Sequence, residues 1–142
     1  MIGRLYILVF ALFGSLSTLA HHNPGYYFDM RERVVHTDAT AVSYTPVNPH
    51  GRLVYTMADE SGDVKEWVAE LPANNMMRRY GAVGGEINPG DKLTLMGNPG
   101  RDGVTMLRVT HVLLPDGKVV TFYAPQGSAT AEDLKASSAS QH

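Results

Sequence analysis

Cysteine is missing from the 142 residues of the chain. Disulfide bonds and thiolate metal ligands are therefore excluded, and any bound metal must be held by histidine, carboxylate, methionine or backbone groups. A chain of this length has room for one domain, which must be stabilised by core packing alone. Its hydrophobic content of 44% is sufficient for such a core.

Basic residues are also scarce. Arg4 is the only charged residue among the first twenty, and the rest of the chain sets 11 Lys and Arg against 14 Asp and Glu. A mildly acidic surface argues against nucleic acid and against anionic membranes as partners, because both need a basic surface to bind. The remaining partner classes are a metal ion, a small neutral ligand or another protein of the cell envelope.

The N-terminus has the pattern of a secretory signal peptide. Arg4 precedes an apolar run over 5–13, and Thr18 and Ala20 place small residues at the −3 and −1 positions of a cleavage site. The apolar run is shorter than the roughly 20 residues that a transmembrane helix needs. We therefore expect residues 1–20 to be a cleaved Sec leader, and the mature protein to reach the periplasm without a membrane anchor.

Cleavage after Ala20 makes His21 the first residue, followed by His22. An N-terminal histidine offers its α-amine and its imidazole Nδ1 to the same metal, and these groups titrate near pH 8 and about 6.5 in model peptides. One further imidazole completes a T-shaped set of nitrogen ligands, the histidine brace, which suits the tetragonal preference of Cu(II). Cleavage one residue earlier would leave Ala-His-His, with His22 in a different copper-binding N-terminus. Histidines also follow cleavage sites by accident.

The chain that follows alternates apolar and polar residues in segments rich in β-branched side chains. Six strands are predicted, over residues 33–44, 53–57, 64–71, 92–97, 104–114 and 118–123. In the first strand, one face is expected to carry Val34, His36, Asp38, Thr40, Val42 and Tyr44. The segment 98–103 is expected to be a turn, because it contains proline and two glycines.

A short helix is predicted after the third strand. Asn74 or Asn75 is expected to cap this helix, which extends through Tyr80, and Met76, Met77 and Tyr80 are expected to form its apolar stripe. Three strands, a helix and further strands are the element order of a small OB-like antiparallel barrel, with an antiparallel sandwich as the alternative. The barrel domain would span residues 21–123. Residues 124–142 lack hydrophobic periodicity, which predicts a disordered C-terminal tail.

Recognisable catalytic motifs are absent: there is no nucleophile elbow, no phosphate-binding loop and no zinc-protease helix. Glu66 and Glu70 alternate away from Trp67, and we interpret them as part of a solvated face. The chain is therefore not expected to be an enzyme. A copper oxygenase built on the same histidine brace is retained as a minor alternative.

The histidines carry most of the functional information. His50 lies in the loop Asn48-Pro49-His50-Gly51, which in an OB barrel borders the usual ligand-binding face. The same tetrapeptide is equally consistent with a turn that has a polar tip. His36 and His111 lie within strands, where partly buried histidines with satisfied hydrogen bonds are common. His142 ends the predicted tail.

Short motifs recur in a fixed order along the mature chain: Ala20-His21-His22, Phe28-Asp29, Asn48-Pro49-His50, Trp67 with Glu70, Gly90-Asp91 and Leu114-Pro115-Asp116-Gly117. Their order and spacing resemble a family of small secreted proteobacterial proteins known as a domain of unknown function. The resemblance runs from about Ala20 to Tyr123. It implies a periplasmic β domain with histidines at 21, 22 and 50, and it supplies no established activity.

Two functions follow as hypotheses. The first is a periplasmic metal-binding protein that holds Cu(II) through His21, His50 and, as a fourth ligand, His22, for copper carriage or buffering. The second is a binding module without metal, whose barrel takes a small ligand or an envelope protein.

Overall fold

The computed structural model describes residues 23–80, 86–123 and 129–139. The predicted leader, together with His21, His22 and His142, lies outside the described residues. The strands are β1 (Val34–Thr45), β2 (Gly51–Ala58), β3 (Val64–Leu71), β4 (Lys92–Pro99), β5 (Met106–Leu113) and β6 (Val119–Thr121). The helices are α1 (Asn74–Arg79) and α2 (Ala131–Ala139), with 3-10 turns at Pro24–Tyr26 and Arg101–Gly103.

The strands form a closed barrel with one additional strand. Antiparallel pairs run in the order β3-β2-β1-β4-β5, and a parallel pairing of β3 with β5 closes the sheet on itself. The first half of β5 makes this closing pairing, while its second half pairs with β6. Because α1 connects β3 to β4, the arrangement is OB-like. The predicted fold class is confirmed, and closure through β3 and β5 excludes the sandwich.

The core fills the barrel interior through the two-residue alternation of the strands. In β2, for example, Leu53 and Tyr55 are fully buried, whereas Arg52 is exposed and Val54 is only partly buried. The buried cluster consists mainly of Ala39, Ala41, Leu53, Tyr55, Ala69, Leu71, Met77, Leu93, Leu95, Leu107, Val109, Val112, Val120 and Phe122. Trp67 packs against it from the side.

The face assignment of β1 needs a correction. The register against β4 shifts between His36 and Ala39, and Asp38 there has a positive φ of 55°. The bulge moves the buried side of the strand by one residue. His36 is buried before the bulge and Ala39 and Ala41 after it, so Thr40 and Val42 do not share a buried face with His36.

The turn predicted over 98–103 is also corrected at its start. β4 continues through Asn98 to Pro99, and only then does the chain turn. Close packing against β5 requires glycine at position 97, because a Cβ there would lie 2.3 Å from the main-chain oxygen of Arg108.

The C-terminal region differs from the expected disordered tail. Residues 131–139 form α2, in which Leu134 is fully buried against Met96 and Leu113 on the outer face of the barrel. Thr130 caps the helix, since its Oγ1 accepts the main-chain N–H of Asp133 over 3.2 Å, and its own main-chain N–H donates to the Asp133 carboxylate over 2.6 Å. The prediction is therefore wrong for these residues, since one well-placed apolar side chain and a cap are enough to attach a short helix.

No helix within the described parts of the chain has the length and apolar character needed to cross a membrane.

Candidate functional site

A cleft of about 360 Å³ lies on the outer surface of the barrel. Its position follows from strand alternation: Glu70 of β3 and Arg108 of β5 are register partners, and their neighbours Ala69 and Leu107 point into the core. The cleft is lined by Asn23, Pro24, Tyr27, Phe28, Pro49, His50, Glu70, Pro72, Ala73, Met76, Arg108 and Tyr123.

One wall comes from the segment that precedes β1. Asn23 caps the first 3-10 turn, since its side-chain oxygen accepts the N–H of Gly25 over 3.0 Å. The segment that follows is anchored by Phe28, whose side chain is 1% exposed and whose main chain forms an isolated antiparallel β-bridge with Gly100. These contacts give Asn23 a defined position in the cleft wall.

Arg101 attaches the same segment to the barrel a second time. Its guanidinium Nε donates to the main-chain oxygen of Gly25 over 2.8 Å, and its main-chain N–H donates to the oxygen of Tyr27 over 2.9 Å. A polar residue of the turn after β4 thereby holds the start of the described chain beside the cleft.

A second wall comes from the loop between β1 and β2, which carries His50. The loop is docked on the start of α1 by two main-chain hydrogen bonds, from Gly51 N–H to Pro72 O over 3.1 Å and from Asn74 N–H to Val47 O over 3.3 Å. The imidazole is therefore presented by a loop with a defined backbone. The structure places His50 in the lining of the cleft, with its side chain 47% exposed.

Glu70 is the nearest acidic neighbour of His50. Its Oε1 lies 3.6 Å from His50 Nδ1, which is within ion-pair range and longer than a good hydrogen bond. A carboxylate on the Nδ1 side leaves Nε2 as the nitrogen available to a ligand. Sequence reasoning grouped Glu70 with Glu66 on a solvated face; Glu66 is exposed, but Glu70 is partly buried in the cleft. The Trp67–Glu70 motif, one of those that carry the family resemblance, was the sequence feature that could have identified Glu70 as a cleft residue.

Another part of the cleft lining is aromatic and basic. The Arg108 guanidinium lies 3.9 Å from the ring centroid of Tyr123, a cation–π arrangement. Tyr80 lies beside the same ring, with 6.2 Å between centroids. Burial raises the pKa of the Tyr123 hydroxyl, so it stays protonated at neutral pH. Sequence analysis missed Arg108 and Tyr123, because the β3–β5 pairing sets Arg108 beside Glu70 and Tyr123 is placed by its contact with Arg108.

His36 is not part of the cleft. It is 9% exposed, its Nδ1 shares a 2.7 Å hydrogen bond with the Tyr55 hydroxyl, and its ring lies edge-on to Trp67 with 4.5 Å between centroids. Burial lowers the pKa of His36 from 6.5 to about 4. It is a neutral core histidine with a satisfied hydrogen bond.

His111 is also buried away from the cleft. Its Nδ1 lies 3.0 Å from the Thr110 hydroxyl, and Nε2 has no hydrogen-bond partner among the described residues. Burial, together with the charge of Arg33, lowers the pKa of His111. The imidazole is therefore neutral at physiological pH.

The described residues contain no group of three or more histidine, aspartate or glutamate side chains arranged to hold a metal ion. Of the three histidines predicted as ligands, only His50 is described. A complete metal site at the cleft would therefore need donors that precede Asn23, or donors of another kind.

Fold and cleft together define a small OB-like β-barrel with a histidine-bearing cleft on its outer surface. The chain belongs to a family of unknown function, DUF6152, which it matches over residues 10–108. The match includes the cleft residues Asn23, His50, Glu70 and Arg108. No curated protein matches the chain, and no solved structure matches it.

Proposed function

We propose that the exported mature protein binds Cu(II) at this cleft and carries or buffers copper in the periplasm. The observation that carries the proposal is that Asn23 and His50 line the same cleft. Two residues precede Asn23 in a mature chain that begins at His21. Consecutive Cα atoms are about 3.8 Å apart, so the length of this segment would allow the N-terminal histidine to approach the cleft that His50 lines.

The chemistry of the donors favours copper. After cleavage, His21 contributes its α-amine and Nδ1, and His50 contributes Nε2, which gives three nitrogens for a tetragonal Cu(II) site. Glu70, beside Nδ1 of His50, is the outer carboxylate that orients a metal-bound imidazole and strengthens its donor nitrogen. His22 is the candidate for a fourth ligand. The uncleaved chain would lack the site, because a peptide bond would occupy the α-amine.

The test uses protein expressed with its own leader and recovered from the periplasm. Intact mass identifies the first residue, and copper content together with electron paramagnetic resonance reports Cu(II) binding. We expect stoichiometric Cu(II) with a nitrogen-rich signal in the wild type, and loss of this signal in His21→Ala and in His50→Ala. His142→Ala serves as the matched control and should keep it.

Unchanged stoichiometric binding in both variants would refute the proposed ligand set. If the intact mass shows that the mature chain begins at Ala20, the N-terminus is Ala-His-His, and the proposed ligand is His22 instead of His21. In that form, His22→Ala should abolish the signal and His50→Ala should not.

A binding module without metal is the second candidate. It is favoured by the cleft volume of about 360 Å³, which falls within the roughly 300–1,000 Å³ of small-molecule sites. The lining of proline and aromatic residues around Arg108 also suits an organic ligand. Protein that is recovered without copper and binds added Cu(II) only weakly, yet yields a small molecule on denaturation, would favour this candidate.

A further inference from the structure

The two adjacent methionines of α1 have different environments. Met77 is fully buried in the core, where its sulfur accepts a hydrogen bond from the Tyr44 hydroxyl over 3.6 Å. Met76 is 37% exposed and lines the cleft. The sequence predicted helix packing for both, which is correct for Met77 and wrong for Met76. Met76 and His50 are therefore two potential metal donors in the lining of one cleft.

The positions of Met76 and His50 are coupled through the backbone. The two hydrogen bonds that join the His50 loop to α1, at Pro72 and Asn74, flank the start of the helix that carries Met76. The main-chain N–H of Met76 is itself held by Ala73 O and by the side chain of Asn75, both over 2.9 Å. Main-chain hydrogen bonds therefore join the loop that carries His50 to the start of the helix that carries Met76.

We infer that the cleft also binds Cu(I), with the Met76 sulfur and the His50 imidazole as ligands. Thioether sulfur is a soft donor that favours Cu(I), whereas amine and imidazole nitrogens suit Cu(II). Cu(I) is stable at low coordination number, so one sulfur and one nitrogen form a sufficient core for its site. The inference rests on the proposed function in sharing His50, and it extends that function to both oxidation states of copper.

The thioether has a signature that separates it from the nitrogen ligands. Removing Met76 should weaken Cu(I) binding and leave Cu(II) binding unchanged, because sulfur contributes little to a nitrogen-rich Cu(II) site. Removing His50 should weaken both. A purely structural role for Met76 would not discriminate between the two oxidation states.

The experiment measures Cu(I) affinity without oxygen, by competition with a chromophoric Cu(I) chelator, on the exported protein. Met76→Leu keeps the side-chain volume, and Met30→Leu is the matched control, since Met30 is 42% exposed and does not line the cleft. We expect Met76→Leu to weaken Cu(I) binding by about tenfold or more, with Met30→Leu equal to wild type. X-ray absorption of the wild-type Cu(I) form should show sulfur scattering, which Met76→Leu removes.

Equal Cu(I) affinity in the two leucine variants, or wild-type Cu(I) protein without sulfur scattering, would overturn the inference. The proposed function would then still stand if His50→Ala loses Cu(II). Conversely, Cu(I) binding that depends on Met76 in a protein that binds no Cu(II) would support the Cu(I) site and refute the proposed Cu(II) function.

Discussion

The buried pair of His36 and Tyr55 makes the stability of the barrel depend on pH in a defined direction. The pKa of His36 falls from its ordinary 6.5 to about 4 because the ring is buried. Between these values the unfolded chain binds a proton that the folded chain does not. Unfolding is therefore favoured by acid, and the stabilisation is complete above pH 6.5 and lost as the pH falls through about 4.

The size of the effect follows from the two pKa values. Each tenfold change in proton affinity corresponds to about 1.4 kcal/mol, so His36 alone changes the free energy of unfolding by at most about 3.5 kcal/mol. This amount is a large fraction of the roughly 5–15 kcal/mol that stabilises a typical domain. The barrel should consequently be measurably less stable at pH 5 than at pH 7.

Urea unfolding between pH 4 and 8 measures this dependence. Trp67 is the single tryptophan and lies against His36, so its fluorescence reports on the same part of the core. The informative variant is His36→Asn, whose amide can bond to the Tyr55 hydroxyl without titrating. We expect it to be less stable than wild type at pH 8, because ring contacts are lost, and to have a pH slope smaller by about one proton between pH 6.5 and 4.

Other titrating groups determine the pH dependence of stability that remains in His36→Asn. His111→Asn is the comparison for the second buried histidine, whose pKa is lowered as well. Hydrogen bonds lower the pKa values of Asp29, Asp59 and Asp133, so these carboxylates contribute to stability above their ordinary pKa of 3.8 and lose it at lower pH. Identical slopes for wild type and His36→Asn would refute the reasoning.

Three further predictions test the fold and the cleft. Gly97→Ala should lower the free energy of unfolding by about 2 kcal/mol or more, because the added Cβ meets the Arg108 main chain at 2.3 Å; a wild-type urea midpoint would contradict this close approach. Leu134→Ala should lower the free energy of unfolding by about 3 kcal/mol, since this side chain of α2 is fully buried against the outer face of the barrel; an unchanged urea midpoint would show that α2 contributes nothing. Glu70→Gln should weaken Cu(II) binding by about tenfold while the urea midpoint is unchanged, because only the group that orients His50 is altered; equal affinity in a copper titration would exclude that role.

Local patterns predicted most of the secondary structure correctly. β3 has the predicted bounds 64–71, and β1 and α1 each differ from prediction by about one residue at their ends. Strand alternation and helix stripes are properties of neighbouring residues, so they can be detected in the sequence alone. The element order was also sufficient to indicate an OB-like barrel, because few closed topologies accommodate a helix between the third and fourth strands.

The errors came from interactions between distant segments. The bulge at Asp38 depends on pairing with β4, so alternation along β1 alone assigned the wrong face beyond it. The burial of Leu134 depends on an apolar patch that β4 and β5 present on the outside of the barrel. Neither partner surface can be seen in the local sequence.

The sequence by itself determined the strand pattern. It also predicted an export signal, and it indicated histidine as the residue type on which metal binding would depend. Only the tertiary structure decided which side chains meet. The parallel pairing of β3 and β5 places Glu70 beside Arg108, and docking of the first loop on α1 adds His50 and Met76 to the same cleft. The physical reason is that donor chemistry belongs to a residue, whereas proximity is produced by hydrogen bonds and packing between segments far apart in the chain.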